Sequence, residues 1–289
     1  FDAAVIFTVF SQSALPAATL AWMANIPLRL AHSRENPYQL LTDWVSETEP
    51  HGEVRHEVRR QLDLVGSVGY VTGDDHLSFH VDDCDRNEAL HKLEQAGIDP
   101  AAPFAIVHPG ATAASRRYPA VQFAAAARAL AQQAGVQIVV TGGIEERQLA
   151  ETVRVHGPHG TVSLAGELSL GETAAAIQLA TVLIANNSGP AHIAAALGTP
   201  VVDLYALTNP QHTPWRVLSR VLFQDVPCKY CYKSVCPEPH HACLREVTPE
   251  QVAHAAHELI ETVAQRRNNV RRLPARKPQP LRATHSVGV

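Results

Sequence analysis

The feature that most constrains the fold is a regular alternation of short apolar runs and amphipathic segments between residues 104 and 265. Runs such as Phe104–His108 and Val182–Ala185 are short and rich in branched apolar residues, which predicts buried strands rather than helices. Segments with helical spacing separate these runs, and Gly135 and Gly198 directly follow two of them, as glycines that end helices do. Strands that alternate with helices predict βαβ units, and therefore a parallel sheet with helices on both faces.

These patterns also predict where a ligand binds. The predicted strands are 104–108, 136–141, 161–164, 182–185 and 200–205, and the predicted helices are 120–133, 145–155, 170–180, 190–197 and 251–265. A parallel sheet of this kind binds its ligands beyond the carboxyl ends of its strands. We therefore look for functional residues in the loops that follow residues 108, 141, 185 and 205.

Residues 1–100 have a less regular pattern. The predicted strands are 3–9, 28–31 and 77–81, and the predicted helices are 13–24, 53–64 and 86–96, the last with Asp85 and Glu88 as a capping box. Because the sequence opens at Phe1 directly on a strand pattern, we expect this domain to begin upstream and to be truncated here. We therefore divide the chain into a partial N-terminal domain (1–100), a C-terminal domain (101–265) and a tail (266–289).

The tail differs from the rest of the chain in charge. It holds seven basic side chains and no acid, whereas the whole chain has a net charge of −4. It is rich in proline and lacks helical periodicity, so we expect it to be disordered. It is either simply solvated or attracted to anionic lipid headgroups. No run approaches the ~18 apolar residues of a membrane helix.

The loop after the first C-terminal strand, residues 108–119, carries residues suited to an anion. Gly110 lets backbone amides come close to a ligand, and Thr112 adds a hydroxyl group. Arg116 and Arg117 precede a predicted helix start, where free amides and guanidinium groups together match a phosphate. The alternative is a solvated arginine pair on a surface loop.

The loop after the second strand, residues 141–147, combines glycine with acids. Gly142 and the glycine after it allow a tight turn, and Glu145 and Glu146 open the next helix. These acids either stabilise the positive end of the helix dipole or accept hydrogen bonds from ribose hydroxyls.

The loop after residue 185 gives the strongest signal, with the candidate binding residues Asn187, Ser188, Gly189, Pro190 and His192. The first two of these can cap a helix and the proline suits its first turn, so a second helix N-terminus faces the same sheet edge. Taken alone, the pattern also fits a helix that is merely well capped. Together with the arginine loop, it predicts a diphosphate held without a metal ion.

The chain resembles the C-terminal domain of glycosyltransferase family 9 in three successive segments, HPGA…RRYP, TGGIEER and LAGELSLGETAAAIQLATVLIANNSGPAHIAAALGTPVVDLY. That family contains the lipopolysaccharide heptosyltransferases. The likeness is densest over residues 104–210 and extends more weakly to residues 1–44. It implies the GT-B fold, an α/β architecture in which two Rossmann-like domains with parallel sheets face each other.

The resemblance also assigns roles to the loops. Arg116 matches the basic residue that contacts the donor phosphate, and Thr112 matches the hydroxyl region of the phosphate loop. Glu145 or Glu146 matches an acid on the nucleoside side, and residues 187–192 match the donor loop.

Three features depart from the family's pattern. Asn187 stands where many members carry Asp, and Tyr118 stands where Trp is usual. The family's N-terminal Gly-Asp element, which supplies the proposed general base, has no match here. We therefore assign no catalytic residue, expect the base upstream of Phe1, and expect activity to depend on that segment.

The activity implied by the resemblance is inverting transfer of heptose from ADP-L-glycero-D-manno-heptose to the inner core of lipopolysaccharide. The expected partners are the ADP-heptose donor and a lipid A-core acceptor at the membrane surface, with no nucleic acid and no cofactor for catalysis. The expected location is the cytoplasm, in solution or peripheral on the inner face of the inner membrane. The alternatives are another GT-B enzyme that uses a sugar nucleotide, or a non-catalytic fragment that binds a nucleotide or a metal.

The cysteines form a separate pattern, C-x2-C-x4-C-x6-C, made of Cys228, Cys231, Cys236 and Cys243. Four thiols this close together can bind one structural zinc ion, and the spacing also fits some iron–sulfur sites. Reduced free thiols are the alternative, and disulfides are disfavoured in the expected compartment. A second pattern, Asp83-Cys84-Asp85, is interpreted as a helix start rather than a metal site.

Overall fold

The structure is a computed structural model that describes residues 1–49, 54–238 and 240–272, with side chains described as far as Arg266. The strands are β1 (Ala3–Ile6), β2 (Leu28–Ser33), β3 (Asp43–Ser46), β4 (Phe104–His108), β5 (Gln137–Val140), β6 (Val162–Ser163), β7 (Val182–Asn186), β8 (Val201–Leu204) and β9 (Ser219–Leu222). The helices are α1 (Leu15–Met23), α2 (Glu57–Gly66), α3 (Asp83–Gln95), α4 (Ala120–Ala134), α5 (Arg147–His156), α6 (Leu170–Leu179), α7 (Gly189–Leu197), α8 (Ala242–Arg245) and α9 (Pro249–Arg272).

The first three strands form a small parallel sheet in the order β1-β2-β3. Helix α1 packs against it, and the apolar core that they share consists of Ala14, Ala18, Ala31 and Leu41. Helix α2 follows His56, whose Nδ1 accepts a hydrogen bond from the amide of Val58 at 3.2 Å and so caps the helix. This cap matters because it fixes His56 and Glu57 at the junction with the second sheet.

The second sheet has six parallel strands in the order β6-β5-β4-β7-β8-β9. Helices α4, α5 and α9 bury one face of it, and helices α3, α6 and α7 bury the other. The inner strands β4, β7 and β8 are completely buried as a result. This arrangement confirms the predicted α/β class. The strand order reverses between β4 and β7, which is the switch point where sheets of this type bind ligands.

Two predictions for the first hundred residues are wrong, and one strand was not predicted. Residues 77–81 form no strand, because no strand in the described part of the chain hydrogen-bonds to them. An alternation of apolar and polar residues is not sufficient without such a partner. Helix α3 begins at Asp83, so Asp85 lies in its first turn and does not cap it. Strand β3 was not anticipated, because it is a four-residue edge strand whose side chains are mostly exposed.

Helix α3 belongs by packing to the second sheet. It lies against α6, and Leu93 and Ile98 are buried in the core on that face. Lys92 adds an ion pair, with its Nζ 2.8 Å from an oxygen of Glu172 at the start of α6. The structure therefore groups residues 83–100 with the six-stranded sheet, whereas the division at residue 100 assigns them to the N-terminal domain.

Helix α9 closes the described chain. It packs on α4 through the buried residues Val252, Ala256 and Leu259. It continues to Arg272, so residues 266–272 of the predicted tail are helical, and residues 273–289 lie outside the described residues. No helix that the structure describes is both long and apolar enough to cross a membrane.

Candidate functional site

The candidate site lies where β4 and β7 end side by side at the switch point. Strand β4 ends at His108 and continues through residues 109–119 into α4, whereas β7 ends at Asn186 and leads almost directly into α7. Helices α4 and α7 lie on opposite faces of the sheet. The two connecting loops therefore diverge and leave a crevice between them.

Asn186 holds the first of these loops in place. Its side chain is fully buried, its Nδ2 donates to the carbonyl of Pro109 at 2.8 Å, and its Oδ1 accepts from the amide of Tyr118 at 2.9 Å. Buried backbone groups need such partners, and one side-chain amide supplies them at both ends of the loop. Asn186 thereby fixes the turn that carries Arg116.

Arg116 is the last residue of a 3-10 turn, Ala114–Arg116, and is half-buried. Within residues 1–49, 54–238 and 240–266, its guanidinium group forms neither a salt bridge nor a hydrogen bond. Burial is the main reason that the pKa values of His192 and His212 are lowered, and the nearby charge of Arg116 lowers both pKa values further. An arginine in such surroundings is suited to an anionic ligand.

Helix α7 directs its amide end at the same crevice. It begins at Gly189, directly after Ser188, and Pro190 stands in its first turn. The hydroxyl of Ser188 lies 3.5 Å from the carbonyl oxygen of Gly110, so the start of α7 touches the first loop. The positive end of the helix dipole and the Arg116 charge therefore face one crevice.

Glu146 lies beneath the first loop. Its Oε2 accepts a hydrogen bond from the amide of Gly143 at 2.8 Å and lies 3.5 Å from Nε2 of His108. Hydrogen bonding with His108 is the main reason that the pKa of Glu146 is lowered, so the carboxyl group is ionised at neutral pH. A Cβ atom at Gly110 would lie 2.0 Å from this carboxylate, so any other residue there would displace the Glu146 side chain.

A cleft of about 560 Å³ opens beside α7, between the two sheets. His192 and His212 line it from the C-terminal side, and His56 and Glu57 line it from the start of α2. Burial lowers the pKa of His192 to about 4, so this imidazole is neutral at pH 7. Nε2 of His56 lies 2.8 Å from the carbonyl oxygen of Thr213, which joins the two walls.

The comparison with known families identifies the family to which this chain belongs. A family model described as Glycosyltransferase family 9 (heptosyltransferase) matches residues 6–242, which is most of the chain. The chain belongs to glycosyltransferase family 9. The match includes every loop of the crevice, and it confirms the resemblance found in the sequence.

Curated relatives of this family 9 chain are heptosyltransferases. The chain is 25% identical over 273 residues to lipooligosaccharide heptosyltransferase 2 of Haemophilus influenzae, a match that covers 90% of the chain and 77% of that protein. It is 26% identical over 179 residues to lipopolysaccharide heptosyltransferase 2 of Escherichia coli K12, which covers 60% of the chain and 51% of that protein. Several further matches also cover about half the length of the relative.

Solved structures show the same fold. The family 9 glycosyl transferase of Veillonella parvula aligns with a TM-score of 0.70 at 24% identity, over 85% of this chain and 70% of that one. The ADP-heptose heptosyltransferase II of E. coli aligns with a TM-score of 0.68 at 23% identity, over 91% and 78% of the two chains. These likenesses confirm the predicted GT-B fold.

The structure of the family 9 chain gathers most of the predicted donor residues at the crevice. They are Gly110, Arg116, Gly142, Glu146, Asn187, Ser188, Gly189, Pro190 and His192. Asn187 is buried, and its amide donates to the carbonyl of Leu204 at 3.2 Å, so its backbone extends the sheet. The donor-binding role of this set stays a prediction.

Three of the predicted donor residues lie differently from the rest. Arg117 donates from Nε to the carbonyl of Ala111 at 2.7 Å, so its side chain braces its own loop. Thr112 is exposed on that loop, and Glu145 is exposed in the turn before α5. Direct contact of these residues with a donor also stays a prediction.

Among the residues of the crevice and the cleft that escaped the sequence analysis are Asn186, His212, His56 and Glu57. Asn186 is the last residue of β7, so a strand end was the usable signal there, whereas His212 lies in the long segment after β8. The two residues at the start of α2 reach the cleft only through the packing of one sheet against the other. No local pattern marks them.

Proposed function

We propose that this chain binds ADP-L-glycero-D-manno-heptose at the crevice and transfers heptose, with inversion, to the inner core of lipopolysaccharide. Family membership and the heptosyltransferase relatives support the reaction class. The named donor and the inner-core acceptor go beyond what that similarity establishes. The crevice supports the diphosphate part of the donor, and the heptose and the acceptor are inferred from the family resemblance.

The observation that carries the proposal is the pairing of Arg116 with the amide end of α7 across one crevice. A diphosphate carries negative charge that a protein without a metal ion must neutralise with cationic side chains and helix dipoles. Arg116 is half-buried and has no acid partner in the described chain, so its charge is available for that purpose. Glu146, in contrast, is occupied by Gly143 and His108.

The proposed reaction is a direct displacement. An acceptor hydroxyl attacks the anomeric carbon of the donor from the face opposite the nucleotide, the bond to the diphosphate oxygen breaks, and ADP leaves. Negative charge develops on the departing diphosphate, and positive groups fixed beforehand at that position lower the barrier. In this proposal Arg116 and the start of α7 provide those groups, and a base takes the proton of the hydroxyl.

The cleft between the two sheets is the proposed acceptor side. It adjoins α7 through His192, and its opposite wall is Glu57 with His56. We assign no residue of the described chain as the base. Because the proposed acceptor is anchored in lipid, we further propose that the protein works at the cytoplasmic face of the inner membrane.

The direct test is the substitution Arg116→Ala with donor binding measured by calorimetry. The loss of a hydrogen bond to a charged group costs about 1.5–3 kcal/mol, which is roughly a 10- to 150-fold weaker affinity for ADP-heptose. The matched control is Arg154→Ala, which removes an exposed arginine of α5 whose one ion pair in the described chain is with Glu151. Its affinity should equal that of the wild type.

The same titration separates the donors. Tight binding of ADP-heptose with weak binding of UDP-sugars supports the proposal, and the reverse preference would assign the chain to a different sugar nucleotide. An unchanged affinity in Arg116→Ala would remove this arginine from the phosphate site.

A further inference from the structure

Four thiols surround one small cavity near the six-stranded sheet. The cavity is lined by residues of the segment between β9 and α9, and its four thiols are those of Cys228, Cys231, Cys236 and Cys243. The spacing found in the sequence therefore corresponds to a real cluster in space. The fifth cysteine, Cys84, is exposed on α3 and lies outside it.

The backbone around this cavity is unusual. Tyr230, Tyr232 and His241 all have positive φ angles, of 60°, 53° and 48°, which bulky residues rarely adopt. Residues 223–238, 240 and 241, the described residues between β9 and α8, contain no strand or helix. Hydrogen bonds from the amides of Tyr230 and Tyr232 to the carbonyls of Leu207 and Thr208 attach this segment to the loop after β8. Such strain persists only where other contacts hold the chain in place.

We propose that these four thiols bind one zinc ion as a structural cross-link. Zinc is held in structural sites by four ligands, commonly four thiolates, in a tetrahedral arrangement. Two histidines lie nearby, each with one ring nitrogen in a backbone contact: Nε2 of His241 lies 2.7 Å from the carbonyl oxygen of Ser115, and Nδ1 of His240 accepts from the amide of Ala242 at 2.9 Å. The four thiols already make up a complete tetrahedral ligand set, so the proposal needs neither histidine.

Zinc binding would tighten the segment. Around one ion, sulfur atoms about 2.3 Å from the metal lie roughly 3.8 Å from one another. In the part of the chain that the structure describes, no three of these sulfur atoms lie within 4.8 Å of one another. Ligation therefore requires rotation of the cysteine side chains and closure of the turn that carries the first three.

The cross-link acts on the donor site through Ser115. The amide of Ser115 donates to the carbonyl of Ser234 at 3.0 Å, and its hydroxyl donates to the carbonyl of Lys233 at 2.7 Å. Lys233 and Ser234 lie between the second and third cysteines, and the histidine that contacts the Ser115 carbonyl lies two residues before the fourth. Ser115 precedes Arg116 in the same turn, so a fixed cysteine segment fixes the arginine.

The first test is the metal content of the purified protein, measured by elemental mass spectrometry. We expect one zinc per chain in the wild type and in Cys84→Ser, and little zinc in Cys231→Ser and Cys236→Ser. Protein without stoichiometric zinc, or with the absorption of an iron–sulfur cluster, would overturn the proposal.

The second test uses the wild-type chain and does not depend on how the variants fold. After removal of the metal with a chelator, cobalt(II) should restore binding and give the absorption bands of a tetrahedral tetrathiolate site. Amide hydrogen exchange should then slow in residues 227–243 and 113–117 together. Cobalt bound without thiolate absorption, or without slower exchange in either segment, would contradict the assignment.

The effect on the donor rests on the proposed function, whereas the metal site does not. Metal-free protein should bind ADP-heptose about tenfold more weakly, the equivalent of one or two positioning hydrogen bonds, and added zinc should restore the affinity. Zinc bound without any ADP-heptose binding would reject the proposed function alone. ADP-heptose binding by protein that takes up no zinc would reject the metal site alone.

Discussion

The two sheets of this protein are held together by different forces. The three-stranded sheet buries four apolar side chains in its core, all of them alanine or leucine. The six-stranded sheet buries two extensive apolar layers, one on each face. The smaller sheet compensates with buried charge: Arg60, Glu47 and Glu49 are each at most 8% exposed.

The buried charges of the N-terminal region form one network. Nε of Arg60 lies 2.6 Å from an oxygen of Glu47, and the Arg60 guanidinium also donates to Glu57 at 2.9 Å and to the carbonyl of Thr8. Arg55 joins Glu47 to Glu49 with contacts of 3.3 and 3.1 Å. A network of this kind is sensitive to the loss of one member, because the partner is then left as an uncompensated buried charge.

The largest effect should come from Arg60→Met. Removal of one partner of a buried ion pair costs about 3–5 kcal/mol, so this variant should lose that much free energy of unfolding. Urea unfolding followed by tryptophan fluorescence measures it, since Trp22 and Trp44 both lie in the N-terminal region.

The matched control for that substitution is Arg59→Met on the same helix. The Arg59 side chain is 60% exposed and, among the residues that the structure describes, pairs only with Asp63, so its loss should cost about 0.5 kcal/mol or less. Equal costs for the two variants would show that the buried network does not hold the smaller sheet.

A somewhat smaller and chemically different effect is expected from Leu130→Ala in the larger core. Leu130 is fully buried in α4, and truncation should cost about 2–5 kcal/mol through lost burial and a cavity. Val121→Ala, on the exposed side of the same helix, is the control and should cost far less. A cost for Leu130→Ala below about 1 kcal/mol would contradict the view that apolar packing holds this sheet.

The two regions should also respond to pH in opposite directions. Burial alone raises the pKa of Glu47, but hydrogen bonds from Arg60 and the Glu49 amide outweigh it and leave the pKa lowered. Glu47 therefore stabilises the fold above its ordinary value of 4.5, and that contribution is lost as the pH falls. Asp203 in β8 is the converse, because burial without any hydrogen-bond partner raises its pKa well above 3.8.

The pH prediction is tested by Asp203→Asn. In the wild type the folded state keeps a proton that the unfolded state releases, so the cost of Asp203 grows as the pH rises above about 4. The variant should gain stability relative to the wild type as the pH rises from 4 to 7, by about 1.4 kcal/mol for each pH unit over which only the folded state keeps the proton. Thermal unfolding across this range measures it, and a pH-independent difference would show that Asp203 is ionised and paired in the fold.

The contrast between the sheets also explains what the sequence could predict. The strands of the larger sheet are continuous apolar runs between helices, so the predicted bounds of β4 match the observed ones. Gly135 and Gly198 end their helices as predicted, with φ angles of 62° and 76°. The smaller sheet replaces apolar periodicity with buried ions. Buried ions leave only a weak pattern in the sequence, so β3 is missed and a strand is predicted wrongly at residues 77–81.

The candidate site shows the same limit. Loops at strand ends can be identified from the sequence, and Arg116 and the start of α7 lie where the strand order predicts. The Asn186 contacts with Pro109 and Tyr118 join residues 77 and 68 positions apart, so no local pattern contains them. Side chains that bond to distant backbone groups are visible only once the chain is folded.

The central claim is that one diphosphate binds between Arg116 and the start of α7, and a structure of the chain bound to ADP tests it most directly. The account predicts a phosphate oxygen within about 3 Å of the Arg116 guanidinium and another at the amide end of α7, the distances of charge-assisted hydrogen bonds. A diphosphate bound away from the ends of β4 and β7, with Arg116 still in solvent, would contradict it.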